Sequence, residues 1–187
     1  QTIGALNLES NRLSAYDQDD LEVLEFFADE AAISIEKAML HRQLLERELL
    51  HEQLQLAREV QSRLFPPEAP QIPGYDIAGI CIPAEEIGGD YYDFIKLPRG
   101  DLGIIVADVS GHGIPSALMM TAFRAMLRMH AHHQTGVEKM AGAINRQLPE
   151  ITANSHFITA VYILFDLKND AFTYVCCGHP PCLLLHR

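Results

Sequence analysis

The sequence has no apolar run approaching the roughly 18 residues that a bilayer span requires, so a membrane is not among the expected partners. It is also short of positive charge. Fourteen Lys and Arg stand against 25 Asp and Glu, a formal net charge of −11. A surface of that sign repels nucleic-acid phosphates and anionic lipid, which argues against nucleic acid as a partner too, while metal cations suit it. Gln1 is followed by neither a basic n-region nor an apolar core, so no signal peptide is expected, and a start without Met suggests a fragment. Cysteine is sparse. Cys81, Cys176, Cys177 and Cys182 sit in Val- and Leu-rich surroundings, and buried thiols in a reducing cytosol are the expectation.

Proline and glycine are both missing from Leu21 to Leu64. That is more than forty residues, against the roughly 8–20 of ordinary globular helices, and a helix of such length needs a partner to support it. Asp17, Asp19 and Asp20 precede it, where free N–H groups and the helix dipole favour acids. Phe27, Ala31 and Ile35 recur at four-residue steps and are expected to pack on a preceding strand, Ile3 to Leu8. Leu50, Leu54, Ala57, Gln61 and Leu64 alternate four and three apart, a heptad seam with one polar position. Leu45, Leu49, Leu56 and Val60 make a second stripe. Two stripes allow the helix to touch a partner helix and a domain core together; one broad buried face is the other reading.

Phe65-Pro66-Pro67 should end the helix, because Pro cannot continue it and bars the helical conformation for the residue before. Beyond a Pro-rich connection the texture turns to strands, predicted at 77–82, 92–97 and 102–109, the last nearly all apolar as in a strand buried on both faces. A turn at Pro98-Arg99-Gly100-Asp101 separates the second from the third. Helices are predicted over 115–132 and 137–148, then a hairpin of 157–165 and 171–176 around Asp166–Asp170. Strands, two helices, then strands indicate an α+β fold rather than strict βαβ alternation.

Two strings carry chemistry. Ile87-Gly88-Gly89-Asp90 places a carboxylate after two glycines at the mouth of a strand. Ala107-Asp108-Val109-Ser110-Gly111-His112-Gly113 places another where a buried strand runs into a glycine-rich turn. An aspartate there costs stability unless it is paired, hydrogen-bonded or bound to metal. Glycine neighbours let main-chain carbonyls approach a ligand, and oxygen donors suit Mg²⁺ or Mn²⁺. Each string alone also reads as an ordinary turn. Other groupings are weaker. Cys176, Cys177, His179 and Cys182 lack a paired C-x-x-C, and adjacent strand cysteines point to opposite faces, so zinc is not expected. His130, His132 and His133 suit the negative end of a helix, and Met119, Met120, Met126 and Met129 read as core filler. His51-Glu52 has neither the Arg and Pro nor the ATP-binding glycine loops that a phospho-accepting kinase histidine would need.

Taken together, Gln61-Ser62-Arg63-Leu64-Phe65-Pro66, Pro83-Ala84 with IGGDYYDF, ADVSGHGIPSALMM, Asn145 to Leu148, Phe157-Ile158-Thr159-Ala160 and Cys177-Gly178-His179-Pro180-Pro181 resemble the SpoIIE-like branch of the PPM-type metal-dependent serine/threonine phosphatases. Residues 1–40 are similar to the last strand and helix of a GAF sensor domain. The resemblance implies a GAF-like tail over 1–40, a coiled-coil linker over 41–65 and the N-terminal part of a PPM-type α/β-sandwich, layered antiparallel sheets flanked by helices, over 66–187. It also implies two Mn²⁺ or Mg²⁺ ions bridged by Asp108, with Asp90 completing one shell and the carbonyl of Val109 as a further ligand, and water attacking phosphorus directly. The implied substrate is a phosphorylated protein, with a STAS-domain anti-sigma antagonist as the candidate, and the implied assembly is a homodimer through the linker. Eukaryotic relatives carry a histidine two residues after the aspartate. Ser110 holds that place here, so His112 is not assigned as general acid and is expected to shape the turn. The family's further metal aspartates lie nearer its C-terminus than Arg187, so an incomplete centre is expected, and a catalytically inactive dimeric binding module is the alternative.

Overall fold

The computed structural model describes residues 2–98, 100–133, 136–152 and 156–185. The chain divides into two compact units, Gln1–Gln53 and Leu54–Arg187.

In the first unit the expected strand over residues 3–8 is absent, and these residues run as irregular, exposed chain. Helix α1 (Gln18–Ser62) starts behind Asp17, whose carboxylate accepts from the Asp20 N–H at 3.1 Å while Asp20 accepts from the Asp17 N–H at 3.1 Å. This reciprocal cap satisfies two otherwise orphaned donors, as the acidic lead-in predicts. Over its 45 residues α1 has no buried side chain. Leu24, Ala28 and Ala32 are half-buried, whereas Phe27 and Ile35 are 61% and 47% exposed. The expected packing face is therefore displaced, since no strand forms under Phe27. Leu45, Leu49, Leu50, Leu56 and Val60 are all exposed.

In the second unit α1 ends at Ser62, and turn bonds from Leu64 N–H to Gln61 C=O and from Phe65 N–H to Ser62 C=O lead into the prolines. Residues 77–82, expected as a strand, pair with nothing regular, and Ile80 and Ile82 are about four-fifths exposed (79% and 80%). Four strands follow: β1 (Tyr91–Lys96), β2 (Leu102–Val109), β3 (Ile158–Asp166) and β4 (Ala171–Cys177). They form one antiparallel sheet in the order β1-β2-β3-β4. Arg99, in the expected turn between β1 and β2, lies outside the described residues. Helices α2 (Gly113–His133) and α3 (Val137–Gln147) separate β2 from β3, giving the α+β order read from the sequence.

The core lies between the helices and one sheet face. Strand alternation brings Tyr91, Asp93 and Ile95 of β1, Ile105, Ala107 and Val109 of β2, and Ala160 and Tyr162 of β3 to that face. Met120, Phe123, Leu127 and Ala131 of α2 answer at helical spacing, as do Val137, Met140 and Ile144 of α3. Of the methionines read as core filler, Met119 and Met120 are buried and Met129 is 52% exposed. The cysteines differ from expectation. Cys81 is half-buried and Cys176, Cys177 and Cys182 are exposed, because β4 ends the sheet and its side chains lack cover.

One member of the core is charged. Asp93 has no solvent exposure, and Arg128 of α2 grips its two oxygens at 2.7 and 2.8 Å. The Tyr91 hydroxyl donates to the same carboxylate, as does the Phe94 N–H at 2.8 Å. The sheet's alternation forces Asp93 inward, and this set of donors offsets its desolvation. The result fastens β1 to α2.

Candidate functional site

The pairing register assembles the site. Tyr91 lies opposite Ala107, so Asp90 and Asp108 form the next step outward across β1 and β2. Asp108 in turn faces Thr159 of β3. Asp108 and Thr159 stand on the sheet face away from the helices, at the end where β2 enters the glycine turn. The turn needs its glycines, since Gly111 and Gly113 have φ of 94° and 71°, in the left-handed region.

Asp90 and Asp108 both remain exposed, and their carboxyls lie within hydrogen-bonding reach of each other. Partial burial pushes the Asp90 carboxyl above its ordinary value, the negative charge of Asp108 and the bond between them push it further up, and His179 pulls it down. The Cys81 thiol is raised by burial and then by the charge of Asp90. Both sequence-predicted carboxylates are thus brought together, and they repel each other.

Val109, the third residue singled out, supplies a main-chain carbonyl that abuts the same turn. A Cβ added at Gly89 would lie 2.7 Å from this oxygen, 3.0 Å from the Val109 Cβ and 3.2 Å from the Ser116 Cβ. Gly89 is therefore needed for close approach. Gly89→Ala is expected to cost about 1–3 kcal/mol of stability, the usual range for overpacking. Urea denaturation checks this, and a variant as stable as the parent would show that the turn has slack.

A cleft of about 440 Å³ opens over these groups, walled by Arg58 and Gln61 of α1, by Glu85, and by Asp90, Asp108 and His112. His112 is exposed and sits 3.4 Å from Glu85, so its ring faces the preceding loop rather than the carboxylate pair. Ser110 extends the β2–β3 ladder, its N–H donating to Phe157 C=O and its Oγ accepting from Phe157 N–H, both at 2.9 Å.

Facing carboxylates are hard-oxygen donors, and a divalent cation would relieve their repulsion. The residues fit one side of a Mg²⁺ or Mn²⁺ site. Among the described residues no group of three or more His, Cys, Asp or Glu side chains converges as a metal-binding cluster.

The sequence reading did not assign three further residues. Thr159 Oγ1 lies 2.8 Å from His179 Nδ1, and the Cys176 thiol donates to the His179 carbonyl at 3.0 Å, so His179 is held beside Asp108's neighbour. Gln61, read as a polar seam position, bonds both main-chain groups of Gly88, donating to its C=O and accepting from its N–H. The only signal for Thr159 and His179 was their place in short strings whose other members are apolar or glycine.

Residues 98–187 match the family described as Stage II sporulation protein E (SpoIIE). Among curated proteins it is 34% identical over 131 residues to "Phosphoserine phosphatase RsbU" of Bacillus subtilis, covering 69% of this chain and 38% of that protein. It is 31% identical over 139 residues to "Phosphoserine phosphatase RsbP" of the same organism, covering 70% of this chain and 33% of the relative. "Protein IcfG" of Synechocystis is 23% identical over 161 residues, covering 72% of this chain and a quarter (25%) of the relative. The chain thus spans well under half the length of these relatives. A crystal structure of the RsbU and RsbW domains of a Mycobacterium tuberculosis protein overlaps 52% of this chain and 27% of its own, with 29% identity and a TM-score of 0.46. No helix among the described residues is long and apolar enough to cross a membrane.

Proposed function

We propose that the second unit belongs to a metal-dependent phosphatase of phosphoserine or phosphothreonine proteins. The observation that carries this is the meeting of Asp90 and Asp108 in the wall of the cleft. Two Mn²⁺ or Mg²⁺ ions, when bound, would lower the pKa of a water and screen the phosphoryl oxygens. Asp108, Asp90 and the Val109 carbonyl are the groups that would hold them. The rigid end of β2 and the Gly88-Gly89 turn hold these oxygens in place, and no side-chain nucleophile is required. The new bond is from water oxygen to phosphorus, and the serine oxygen leaves with a proton. The substrate class follows the two relatives named as phosphoserine phosphatases, and a phosphorylated STAS-domain anti-sigma antagonist in a cytoplasmic partner-switching pathway is the specific candidate.

The test is Mn²⁺-dependent release of phosphate from such a phosphoprotein, by this chain and by a version extended through roughly the next hundred residues, a span set by typical domain size. Turnover by the extended protein supports the reading. Turnover by neither, on the phosphoprotein and under any divalent metal, would favour a binding module.

Regulation is proposed through α1. Residues 1–40 would be the end of a GAF-like sensor domain and 41–65 a linker that pairs with a second copy, since Leu45, Leu49, Leu50 and Leu56 are exposed along a helix with no buried residue. A shift of that linker would repack its stripes and alter the metal site. Leu54→Glu with Ala57→Glu is expected to convert a dimer to a monomer in sedimentation equilibrium; a dimer that persists would refute the seam.

A further inference from the structure

The sheet has a second concavity at the end remote from Asp108. A cavity of about 320 Å³ is bounded by the end of β1, the start of β2, the end of α2 and the start of α3. Its body is apolar, formed by Leu97, Ala131, Val137, Met140 and Leu164. Leu102 stands at this end of β2 and Asp108 near the other, which the rise of a strand separates by roughly 20 Å.

One polar atom reaches into the cavity from a deeply buried residue. Tyr162 of β3 is 4% exposed. It lies opposite Ile105 in the ladder, yet a Cβ added at Gly103 would collide with its hydroxyl. The phenol therefore leans along β2 toward Leu102, and the glycine at 103 leaves room for it. Tyr162 also borders a neighbouring apolar cavity near Ile158 and Ala160, but its hydroxyl points away from that end of the strand. Among the described residues the hydroxyl has no hydrogen-bond partner, and burial alone pushes its pKa up to about 12. It stays protonated and free to donate. The oxygen is not sealed in, since no side-chain N or O among the described residues is both fully occluded and unbonded. It opens onto space, and the cavity it lines supplies that space. Buried hydroxyls nearly always have a partner, so this one is a vacant donor at the inner end of an apolar hollow.

The charged and ionisable groups stand elsewhere on the wall. Asp101 is half-buried, and His132 and His133 are exposed at the end of α2. His130, in the same turn, is bonded to Gln147 instead, at 3.1 Å. A charge brought to the Tyr162 end would lose its water and meet no opposite charge there, whereas a neutral acceptor would meet a donor. Apolar walls with a single well-placed polar group are the ordinary make-up of a small-molecule pocket, and the volume falls at the lower end of the roughly 300–1,000 Å³ such pockets span.

We propose that this cavity binds a small uncharged molecule with an apolar body and one carbonyl-type acceptor, which takes the hydrogen bond of the Tyr162 hydroxyl. The site is separate from Asp90 and Asp108 and does not depend on their reading as metal ligands.

The test titrates acetophenone, ethylbenzene and benzoate, three probes of similar size, into methyl-labelled protein and follows the methyl shifts by NMR. Acetophenone is expected to bind in the millimolar range or tighter, moving the methyls of Leu97, Val137, Met140 and Leu164. Ethylbenzene lacks the acceptor and benzoate carries a charge, and both are expected to bind at least about tenfold more weakly. In Tyr162→Phe, with a melting curve to show that it is folded, acetophenone is expected to fall to the level of ethylbenzene. Equal binding of ketone and hydrocarbon overturns the proposal, as does unchanged affinity in Tyr162→Phe. Shifts confined to Ile144, Leu148 and Ile158, at the neighbouring cavity, overturn it as well. No shift up to the solubility limit of acetophenone would mean that water alone serves the hydroxyl, and would also overturn it. Should Tyr162→Phe fail to fold, the comparison of ketone and hydrocarbon on the parent decides.

Discussion

Asp108→Asn is expected to cut Mn²⁺-dependent phosphate release from a phosphoserine protein by on the order of a thousand-fold, while leaving the fold intact. Asparagine keeps the shape of the side chain and removes the charge. On the proposed reading, the interaction lost would be that between a carboxylate and divalent cations, worth several kcal/mol in a transition state that spreads charge over phosphoryl oxygens. Stability should not fall, because Asp108 is exposed and its repulsion of Asp90 disappears. The comparison is made in the extended protein at saturating Mn²⁺, with a melting curve for each form. Activity retained within tenfold of the parent would remove Asp108 from the chemistry. A matching loss of melting temperature would instead assign it to structure.

The largest effect on stability is expected at Asp93 of the neighbouring strand, β1. Arg128→Met leaves Asp93 with no exposure and with only the Tyr91 hydroxyl and the Phe94 N–H as donors. Breaking a buried pair by removing one partner costs about 3–5 kcal/mol. The two surviving donors and the partial exposure of Arg128, whose side chain is 39% accessible, place the expected loss near about 3 kcal/mol. The double variant Asp93→Leu with Arg128→Met removes both charges and should recover much of it. Urea denaturation of the three proteins decides the matter. A double variant as unstable as Arg128→Met would mean that the guanidinium matters for packing along its stem rather than for the charge it neutralises.

The two kinds of aspartate show what a sequence displays and what it conceals. Asp90 and Asp108 stand beside glycines at strand ends, where a carboxylate has no structural duty, and they were legible for that reason. Asp93 sits in the same string, three residues on, but its inward orientation follows only from the phase of β1 against α2, and its partner Arg128 is 35 residues away. Strand β2 was read with its limits, Leu102–Val109, because an apolar run of that length has one placement. Residues 77–82 carry the same residue types and form no strand, since a strand exists only by pairing and they join no ladder of the sheet. Gln61 was concealed differently. Heptad spacing predicts that a side chain faces something, but the spacing is the same whether that is a second helix or the peptide of Gly88. His179 came last in the chain and was weighed only as a zinc ligand; its bond to Thr159 depends on the β3–β4 hairpin having formed.

The row formed by Asp90, Asp108 and Thr159 has one more property. Its members come from three strands and share a level only because each ladder is in register. A slip of one residue between β1 and β2 would carry Asp90 out of line with Asp108, and a slip between β2 and β3 would swap Thr159 for a neighbour on the opposite face. Such a chain could still be folded by circular dichroism and collapsed by hydrodynamics. The carboxylate pair therefore acts as a proofreader's mark on strand pairing, present in correctly threaded molecules and missing from near-native impostors. On the proposed reading of the pair as metal ligands, metal occupancy measured per molecule would count the fraction of a preparation that has paired its strands correctly.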